Sequence, residues 1–138
     1  MFSRFAGKSK KPAGEDLEPQ RVFESVHLIA DQIGHVLCVT VVGESITERE
    51  SGILYDETDA QIDDRCTAIV VDLGNVMMMT SAGIGTLVRI HKRISERKGT
   101  LTVCGLSEEL AELFKLTRMN KLFTIAQDRE SAIAGLLR

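Results

Sequence analysis

The chain has 138 residues and a mass of 15.2 kDa, with 43% apolar and 27% charged residues and a net charge of −3. This composition is typical of one soluble domain, and the longest nearly apolar stretch, residues 35–43, is about half of what a bilayer span needs. The N-terminus also lacks the apolar core of a secretory signal. We therefore expect a cytoplasmic protein that neither crosses nor binds a membrane.

The first 20 residues form an extension whose charge changes sign along the chain. Residues 1–11 carry four basic side chains and no acid, whereas residues 12–20 carry three acids and both prolines of the sequence. A short basic segment could bind nucleic acid, but a segment with Gly, Pro and Ser is more often a solvated extension. We predict a flexible extension over residues 1–20, no direct nucleic-acid partner, and one domain over residues 21–138.

Two segments rich in valine and isoleucine open the domain. Residues 23–30 and 36–42 have the pattern of strands, and Gly34 and His35 between them mark a turn, so the two segments predict a hairpin. The next segment, residues 44–64, carries eight acids against Arg49 alone and shows only a partial helical stripe of apolar residues. We interpret this acidic segment as a helix of modest quality.

Strands and helices then alternate to the end of the chain. Residues 67–73 form a short apolar run, typical of a strand covered on both faces. An amphipathic helix begins near Ser81 and ends before Gly99, and it is followed by a strand at 100–104, a helix capped by Ser107, a strand near 122–125 and a helix from Asp128. This order predicts an α/β fold with a mixed sheet of about five strands, largely parallel after the hairpin, and about four helices.

The sequence offers little for metal or enzyme chemistry. Cys38, Cys66 and Cys104 lie in or beside apolar runs, as expected of reduced, buried thiols, and no Cys or His spacing fits a zinc site. His91 lies on the apolar face of the Ser81 helix, so we interpret it as a core histidine with satisfied hydrogen bonds and not as a general base for Ser81. We expect no metal, no cofactor and no catalytic activity.

Residues 70–85 carry the strongest functional signal because they run from a buried strand through a loop directly into a helix. Ser81 is predicted to cap that helix, where free N–H groups and the helix dipole favour an anion. Gly83 and Gly85 follow it at a cost of about 1 kcal/mol each in helix propensity. From the spacing alone, ordinary capping and close helix packing are the simpler explanation of these residues, and a small phosphate-binding or enzymatic α/β domain could use the same helix start.

Three stretches of the sequence resemble STAS domains of the anti-sigma factor antagonist type, small bacterial proteins that bind a serine-kinase anti-sigma factor. The stretch HVLCVTVVGE at 35–44 is similar to the family's second strand and its Gly-Glu ending. The stretch VDLGNVMMMTSAGIGTL at 71–87 is similar to the strand, loop and Asp-Ser-Ser/Thr-Gly-Leu-Gly motif. Residues 99–133 follow the final strand, helix, strand and helix of the family.

The resemblance implies that Ser81 is the serine that a cognate kinase phosphorylates. Gly83, Ile84 and Gly85 fall on the Gly-Leu-Gly of the motif, whereas Thr80 stands where the family has aspartate and Ala82 where it has Ser or Thr. The loss of the aspartate removes a negative neighbour and therefore bears on kinase recognition more than on the fold.

The implied function is a non-enzymatic switch in sigma-factor-dependent transcription. The unmodified protein would sequester an anti-sigma factor, phosphorylation of Ser81 would release it, and a serine phosphatase would reset the site. The departures at Thr80 and Ala82 leave a second alternative, a scaffold STAS subunit of a larger signalling assembly. We expect a monomer or a weak dimer.

The residues around Ser81 also predict a docking surface. Met77, Met78 and Met79 have flexible thioethers that suit adaptable contacts, although alternate members of the run are equally expected to fill the core. The acids expected to steer a basic partner lie in the acidic segment: Glu44, Asp56 and Glu57. The basic residues further along the Ser81 helix we interpret as a solvated face remote from the serine: Arg89, Lys92, Arg93, Arg97 and Lys98.

Overall fold

The computed structural model describes residues 18–137 of the chain, so the predicted basic segment at residues 1–11 lies outside the described residues. The described strands, in chain order, are β1 (Gln20–Glu24), β2 (Leu28–Ile33), β3 (Val36–Val41), β4 (Ser45–Ile46), β5 (Ala68–Asp72), β6 (Met78–Met79), β7 (Thr100–Cys104) and β8 (Thr124–Ala126). The described helices are α1 (Glu48–Asp59), α2 (Ser81–Ser95), α3 (Glu108–Leu116), α4 (Met119–Leu122) and α5 (Arg129–Leu137).

Six of the strands form one mixed sheet in the order β1-β2-β3-β5-β7-β8. The first three strands pair antiparallel, and β3, β5, β7 and β8 pair parallel. The predicted hairpin is present as β2 and β3, and its turn places Gly34 at a φ of 57° that favours glycine. The mixed α/β architecture is therefore confirmed, with six strands in the main sheet and five helices in residues 18–137.

The additional strand arises because the predicted strand at residues 23–30 is interrupted. The Ser25 amide donates to the Leu28 carbonyl at 2.9 Å, and the Ser25 hydroxyl accepts the amides of His27 and Leu28 at 3.0 and 3.2 Å. A serine that satisfies neighbouring amides in this way competes with the strand ladder and turns the chain. The prediction of one strand was wrong here, and β1 instead folds back onto β2.

Helices cover both faces of the sheet. The larger core lies between one face and α1, α2 and α3, and a smaller core lies between the other face and α5. Strand β5 contributes Ile69 and Val71 to the first core and Ala68 and Val70 to the second, and all four side chains are buried. This arrangement confirms the prediction that the apolar run at residues 67–73 is covered on both faces.

The acidic segment contains a shorter helix than predicted. The first helical turn of α1 is fixed by a capping box, in which the Thr47 amide and hydroxyl donate to Glu50 Oε1 at 2.8 and 2.7 Å. Ser45 and Ile46 precede this cap and form β4, which pairs in parallel with β6. The predicted helix over residues 44–64 is therefore wrong at both ends, because the cap begins it at Glu48 and the helix ends at Asp59.

The last third of the chain matches the predicted order with one shift. Ser107 caps α3 by accepting the Leu110 amide at 3.1 Å, and the Asp128 carboxylate accepts the Ser131 amide at 2.8 Å at the start of α5. The strand predicted near 122–125 begins later, at Thr124, because Leu122 is the last residue of the short helix α4. That helix follows Arg118, whose left-handed φ of 63° changes the direction of the chain after α3.

Candidate functional site

Ser81 is the first residue of α2 and its side chain is exposed. Thr80, not Ser81, occupies the N-cap position, so the predicted capping role of Ser81 is wrong by one residue. The Thr80 amide and hydroxyl both donate to the Ile46 carbonyl, at 3.0 and 3.4 Å, and no side chain within residues 18–137 caps the helix. The first turn of α2 also contains no acid. Its free backbone N–H groups are therefore available to an anion, because no side chain competes for them.

The strands β4 and β6 bring the acidic segment to Ser81. Ser45 pairs with Met78 and Ile46 with Met79, and the Glu44 carbonyl accepts the amides of Met77 and Met78 at 2.7 and 3.2 Å. These hydrogen bonds place the exposed Glu44 beside the loop that leads into α2. Of the acids predicted to steer a partner, Glu44 is therefore the one that lies next to the Ser81 loop.

The other two predicted steering acids lie on α1. Asp56 is exposed on the outer side of that helix, whereas Glu57 is half-buried and accepts a 2.7 Å hydrogen bond from the Ser25 hydroxyl. Glu57 thus holds the turn between β1 and β2. Its role is structural, which the sequence pattern did not indicate.

The three methionines divide into two exposed side chains and one buried side chain. Met77 and Met78 are 60% and 52% exposed, whereas Met79 is 7% exposed and belongs to the larger core. Neighbouring exposed apolar side chains of this size are a feature of contact surfaces. The structure thus places two thioethers on the surface and one in the core.

Gly83 and Gly85 have different surroundings although both follow Ser81 closely. A Cβ on Gly83 would lie 2.5 Å from Met79 Cγ and 3.0 Å from the Ile46 carbonyl oxygen, so only glycine allows α2 to approach β4 this closely. A Cβ on Gly85 would meet nothing within 4 Å. Of the other motif residues, Ala82 is half-buried and Ile84 packs against the larger core.

His91 is remote from Ser81 and is not fully satisfied. Ten residues of α-helix separate the two positions by about 15 Å, which is too far for a hydrogen bond to the serine hydroxyl. The His91 ring packs edge-on against Phe123 with 5.6 Å between centroids, and its buried Nδ1 has no hydrogen-bond partner among the described residues. The prediction of a core position is consistent with this packing, but the prediction of satisfied hydrogen bonds was wrong.

The basic side of α2 is more ordered than a solvated face. The guanidinium of Arg89 lies 3.8 Å from the centroid of the Tyr55 ring, and Arg93 Nε donates to Asp59 Oδ1 at 2.7 Å. Both contacts join α2 to α1, so the interpretation of these two arginines as merely solvated was wrong. They lie two to three turns beyond Ser81, as predicted.

The three cysteines are buried thiols. Burial raises the pKa of Cys38 to about 11 and that of Cys104 to about 12, and it also raises the pKa of Cys66. Such thiols stay protonated and act as small apolar side chains at neutral pH. The part of the chain that the structure describes holds no cluster of His, Cys, Asp and Glu suited to a metal ion, and none of its helices has the length and hydropathy to cross a bilayer.

Sequence reasoning missed the role of Ile46, whose side chain and carbonyl form the floor beneath the start of α2. The sequence does contain a signal for this, because Thr47 and Glu50 have the spacing of a capping box. A capping box at these positions predicts that the helix begins at Glu48 and not at Glu44. If residues 44–46 are not part of the helix, the sequence predicts an extended segment there, beside the Ser81 loop.

Comparisons with known proteins agree on one family. The STAS domain family model matches residues 27–132. The chain is 28% identical to BtrV of Bordetella bronchiseptica over 78% of this chain and 92% of that protein, and 28% identical to the anti-sigma F factor antagonist of Paenibacillus polymyxa over 73% and 86%. By name, BtrV too is assigned as an anti-sigma factor antagonist.

Solved structures show the same fold. A STAS domain protein of Planctomyces limnophilus superposes with a TM-score of 0.73 at 20% identity over 81% of this chain and 99% of that one. The phosphorylated form of the Bacillus protein SpoIIAA superposes with a TM-score of 0.62 at 13% identity over 79% and 98%. The family model covers most of the chain, so the chain belongs to the STAS domain family.

Proposed function

We propose that this protein is an anti-sigma factor antagonist that binds an anti-sigma factor with serine-kinase activity through the surface around Ser81. The observation that carries the proposal is the exposed Ser81 hydroxyl at a helix start that no side chain caps, beside Glu44 and two exposed methionines. The names of the relatives from Bordetella and Paenibacillus support the same function.

In the unmodified state the surface offers a partner both apolar and polar contacts. Met77 and Met78 present flexible thioethers, and Glu44 supplies a negative charge at the edge of the same loop. Ser81 lies between these groups and the body of α2, so a docked partner covers its hydroxyl. A partner with a basic and apolar docking surface fits this arrangement.

Phosphorylation of Ser81 would change this surface without opposing the fold. The phosphate adds about −1.5 to −2 charge at neutral pH. The positive end of the α2 dipole and its uncapped N–H groups stabilise that charge within the chain. For a docked partner, the same phosphate introduces a bulky dianion beside Glu44, so the complex dissociates. A serine phosphatase would restore the unmodified surface.

Thr80 and Ser81 are neighbouring hydroxyls, but only Ser81 suits modification. The Thr80 side chain is half-buried and is hydrogen-bonded to the Ile46 carbonyl, whereas Ser81 is exposed. Thr80 also leaves the serine without the acidic neighbour that the resemblance implies. We therefore expect a cognate kinase that does not require a carboxylate at this position.

The test combines phosphate mapping with partner affinity. After incubation with the cognate anti-sigma kinase and ATP, mass spectrometry should locate one phosphate on Ser81. Ser81→Ala should keep partner affinity and accept no phosphate, and Ser81→Asp should weaken binding by about tenfold or more. Ser95→Asp is the matched control, because it adds the same charge to an exposed serine at the far end of α2. No phosphate on Ser81 together with unchanged affinity of Ser81→Asp would show that the proposal is wrong.

A scaffold subunit of a larger signalling assembly is the second candidate, and Thr80 and Ala82, which stand where the resemblance implies aspartate and Ser or Thr, favour it. In that role the Ser81 surface would bind other STAS subunits permanently. Co-expression with the products of neighbouring genes distinguishes the two functions, since a scaffold subunit elutes in a large particle whatever the phosphorylation state of Ser81.

A further inference from the structure

The outer sides of α1 and α2 carry opposite charges at the same height, meaning the same position along the direction of the helix axes. The stacking of Arg89 on Tyr55 and the ion pair of Arg93 with Asp59 fix the register between the two helices. Asp56 follows Tyr55 directly and is exposed, so it lies level with Arg89 and with Lys92 one turn further along α2. An acidic position on one helix therefore stands beside a basic position on the next.

The same surface also carries an exposed apolar side chain and an open area above two glycines. Ile53 is 38% exposed on the same side of α1 as Asp56, three residues further along the helix. A Cβ on Gly52 or Gly85 would meet nothing within 4 Å, so the surface is open above both glycines. The Thr86 hydroxyl donates to the Ser51 carbonyl at 3.0 Å, which places the two glycines at the same height on neighbouring helices.

The charged part of this surface is an open depression of about 230 Å³ lined by Tyr55, Arg89, Lys92, Arg93 and Glu96. Within residues 18–137, neither Arg89 nor Lys92 forms an ion pair. Small-molecule sites are enclosed and mostly apolar, whereas charged, open depressions are typical of the polar rim of a protein interface. The chemistry of the depression therefore calls for an acidic protein surface.

We propose that the outer face of α1 and α2 is a homodimer interface, in which a second copy of this chain is related by a twofold axis running along the two helices. Both helices lead from one strand of the parallel part of the sheet back to the next, so they run in the same direction. A twofold axis that lies above this face and runs parallel to both helices places α1 of one copy against α2 of the other. Because the rotation is about an axis parallel to the helices, every residue keeps its position along the helix direction.

The contacts of this dimer follow from the register. Asp56 of each copy meets Arg89 and Lys92 of the other, and Ile53 of each copy faces the open surface above Gly85 of the other. Each contact occurs twice because the interface is isologous. The surface is self-complementary in charge, which selects a second copy of the chain over an unrelated acidic protein.

Sedimentation of the full chain tests the proposal through charge reversal. Wild type should dimerise with a concentration dependence that weakens between about 50 mM and about 500 mM salt, because the ion pairs are exposed. Lys92→Glu and Asp56→Lys should each weaken the dimer by about tenfold or more, since Lys92→Glu creates two like-charge contacts and Asp56→Lys creates four. The double variant carrying both changes restores the contact between residues 56 and 92 but keeps the like-charge contact of residue 56 with Arg89, so its affinity should lie between that of Asp56→Lys and that of wild type.

Lys115→Glu is the matched control, because it makes the same charge change at an exposed position of α3 and should leave dimerisation unaltered. Circular dichroism confirms that each variant is folded. A wild-type chain that stays monomeric up to about 1 mM overturns the proposal. A dimer that both single reversals leave intact overturns it as well.

Discussion

The helices α1 and α2 both have threonine at the N-cap position, and the two threonine side chains have opposite roles. Thr47 caps α1 through a reciprocal capping box with Glu50, and the first turn of α1 contains two acids. Thr80 takes the same position in α2, but its hydroxyl donates to the Ile46 carbonyl, and the first turn contains neither a cap nor an acid. The start of α1 thus satisfies its own backbone, whereas the start of α2 remains open for the charge that the proposed switch would place on Ser81.

The third helical residue completes this contrast. In α1 it is Glu50, which accepts from the Thr47 amide and hydroxyl, and in α2 it is Gly83, which has no side chain. The missing side chain allows the first turn of α2 to rest against Ile46 and Met79. The contrast can be tested at each of these positions, beginning with the one where the largest effect is expected.

Gly83→Ala should destabilise the protein by about 1–3 kcal/mol, the usual cost of overpacking. The new Cβ would overlap Met79 Cγ at 2.5 Å and press on the Ile46 carbonyl at 3.0 Å, and this strain outweighs the gain in helix propensity. Urea unfolding measures the change, and partner binding should weaken with it because the start of α2 must shift. An alanine variant as stable as wild type would show that Gly83 is not required for the close approach.

Most of the fold could be predicted from the sequence because hydrophobic periodicity reports which face of an element is buried. The run at residues 67–73 and the stripe on α2 are direct examples, and the cap at Ser107 was visible as well. The Ser25 turn and the strand pair of β4 and β6 could not be predicted in this way. They are held by a few specific hydrogen bonds between short polar segments, which leave no periodic pattern.

The sequence predicted which residues lie near Ser81 but not how they are arranged. Ser81, Glu44 and the methionines were named correctly as neighbours, and the pairing of β4 with β6 explains their proximity. The N-cap position of Thr80 could not be predicted from the sequence, because serine and threonine are adjacent here and serine is the more favoured cap of the two. Which of the two glycines is sterically required depends on Ile46, a residue 37 positions before Gly83 in the chain.

The two threonine caps should differ in their contribution to stability. Thr47→Ala removes a side chain that accepts the Arg49 amide and donates to Glu50, so we expect a loss of about 1 kcal/mol. Thr80→Ala removes only a 3.4 Å hydrogen bond to the Ile46 carbonyl, so the loss should stay below about 0.5 kcal/mol. Thermal unfolding of the two variants side by side provides the comparison. Equal losses would contradict the contrast between the two helix starts.

Gly85→Ala should stabilise the protein by about 0.5–1 kcal/mol. The position is inside α2, its Cβ would meet nothing within 4 Å, and alanine restricts the unfolded chain more than glycine does. Denaturant unfolding at low protein concentration, where only monomer is present, measures this effect alone. A destabilised Gly85→Ala variant would mean that both glycines of the motif are packed closely, and the distinction drawn from the structure would fail.

The smallest expected effect is a dependence of stability on pH that the start of α1 provides and the start of α2 does not. Hydrogen bonds from the Thr47 hydroxyl and amide lower the pKa of Glu50 below its ordinary value of 4.5. A carboxyl group whose pKa is lower in the folded state stabilises the protein fully above its unfolded pKa, and this contribution is lost as the pH falls through the folded value.

Glu50→Gln isolates that contribution because glutamine still accepts from Thr47 but does not titrate in this range. The stability difference between wild type and Glu50→Gln should be largest near about pH 7 and should shrink towards about pH 3. Other carboxyl groups with lowered pKa values, such as Asp63 and Asp128, are common to both proteins and cancel in the difference. A difference that stays constant over this range would mean that Glu50 is not held by the capping box. The start of α2 lacks any such titrating group until a phosphate is added at Ser81, so only the phosphorylated chain should show a pH-dependent contribution from the start of α2.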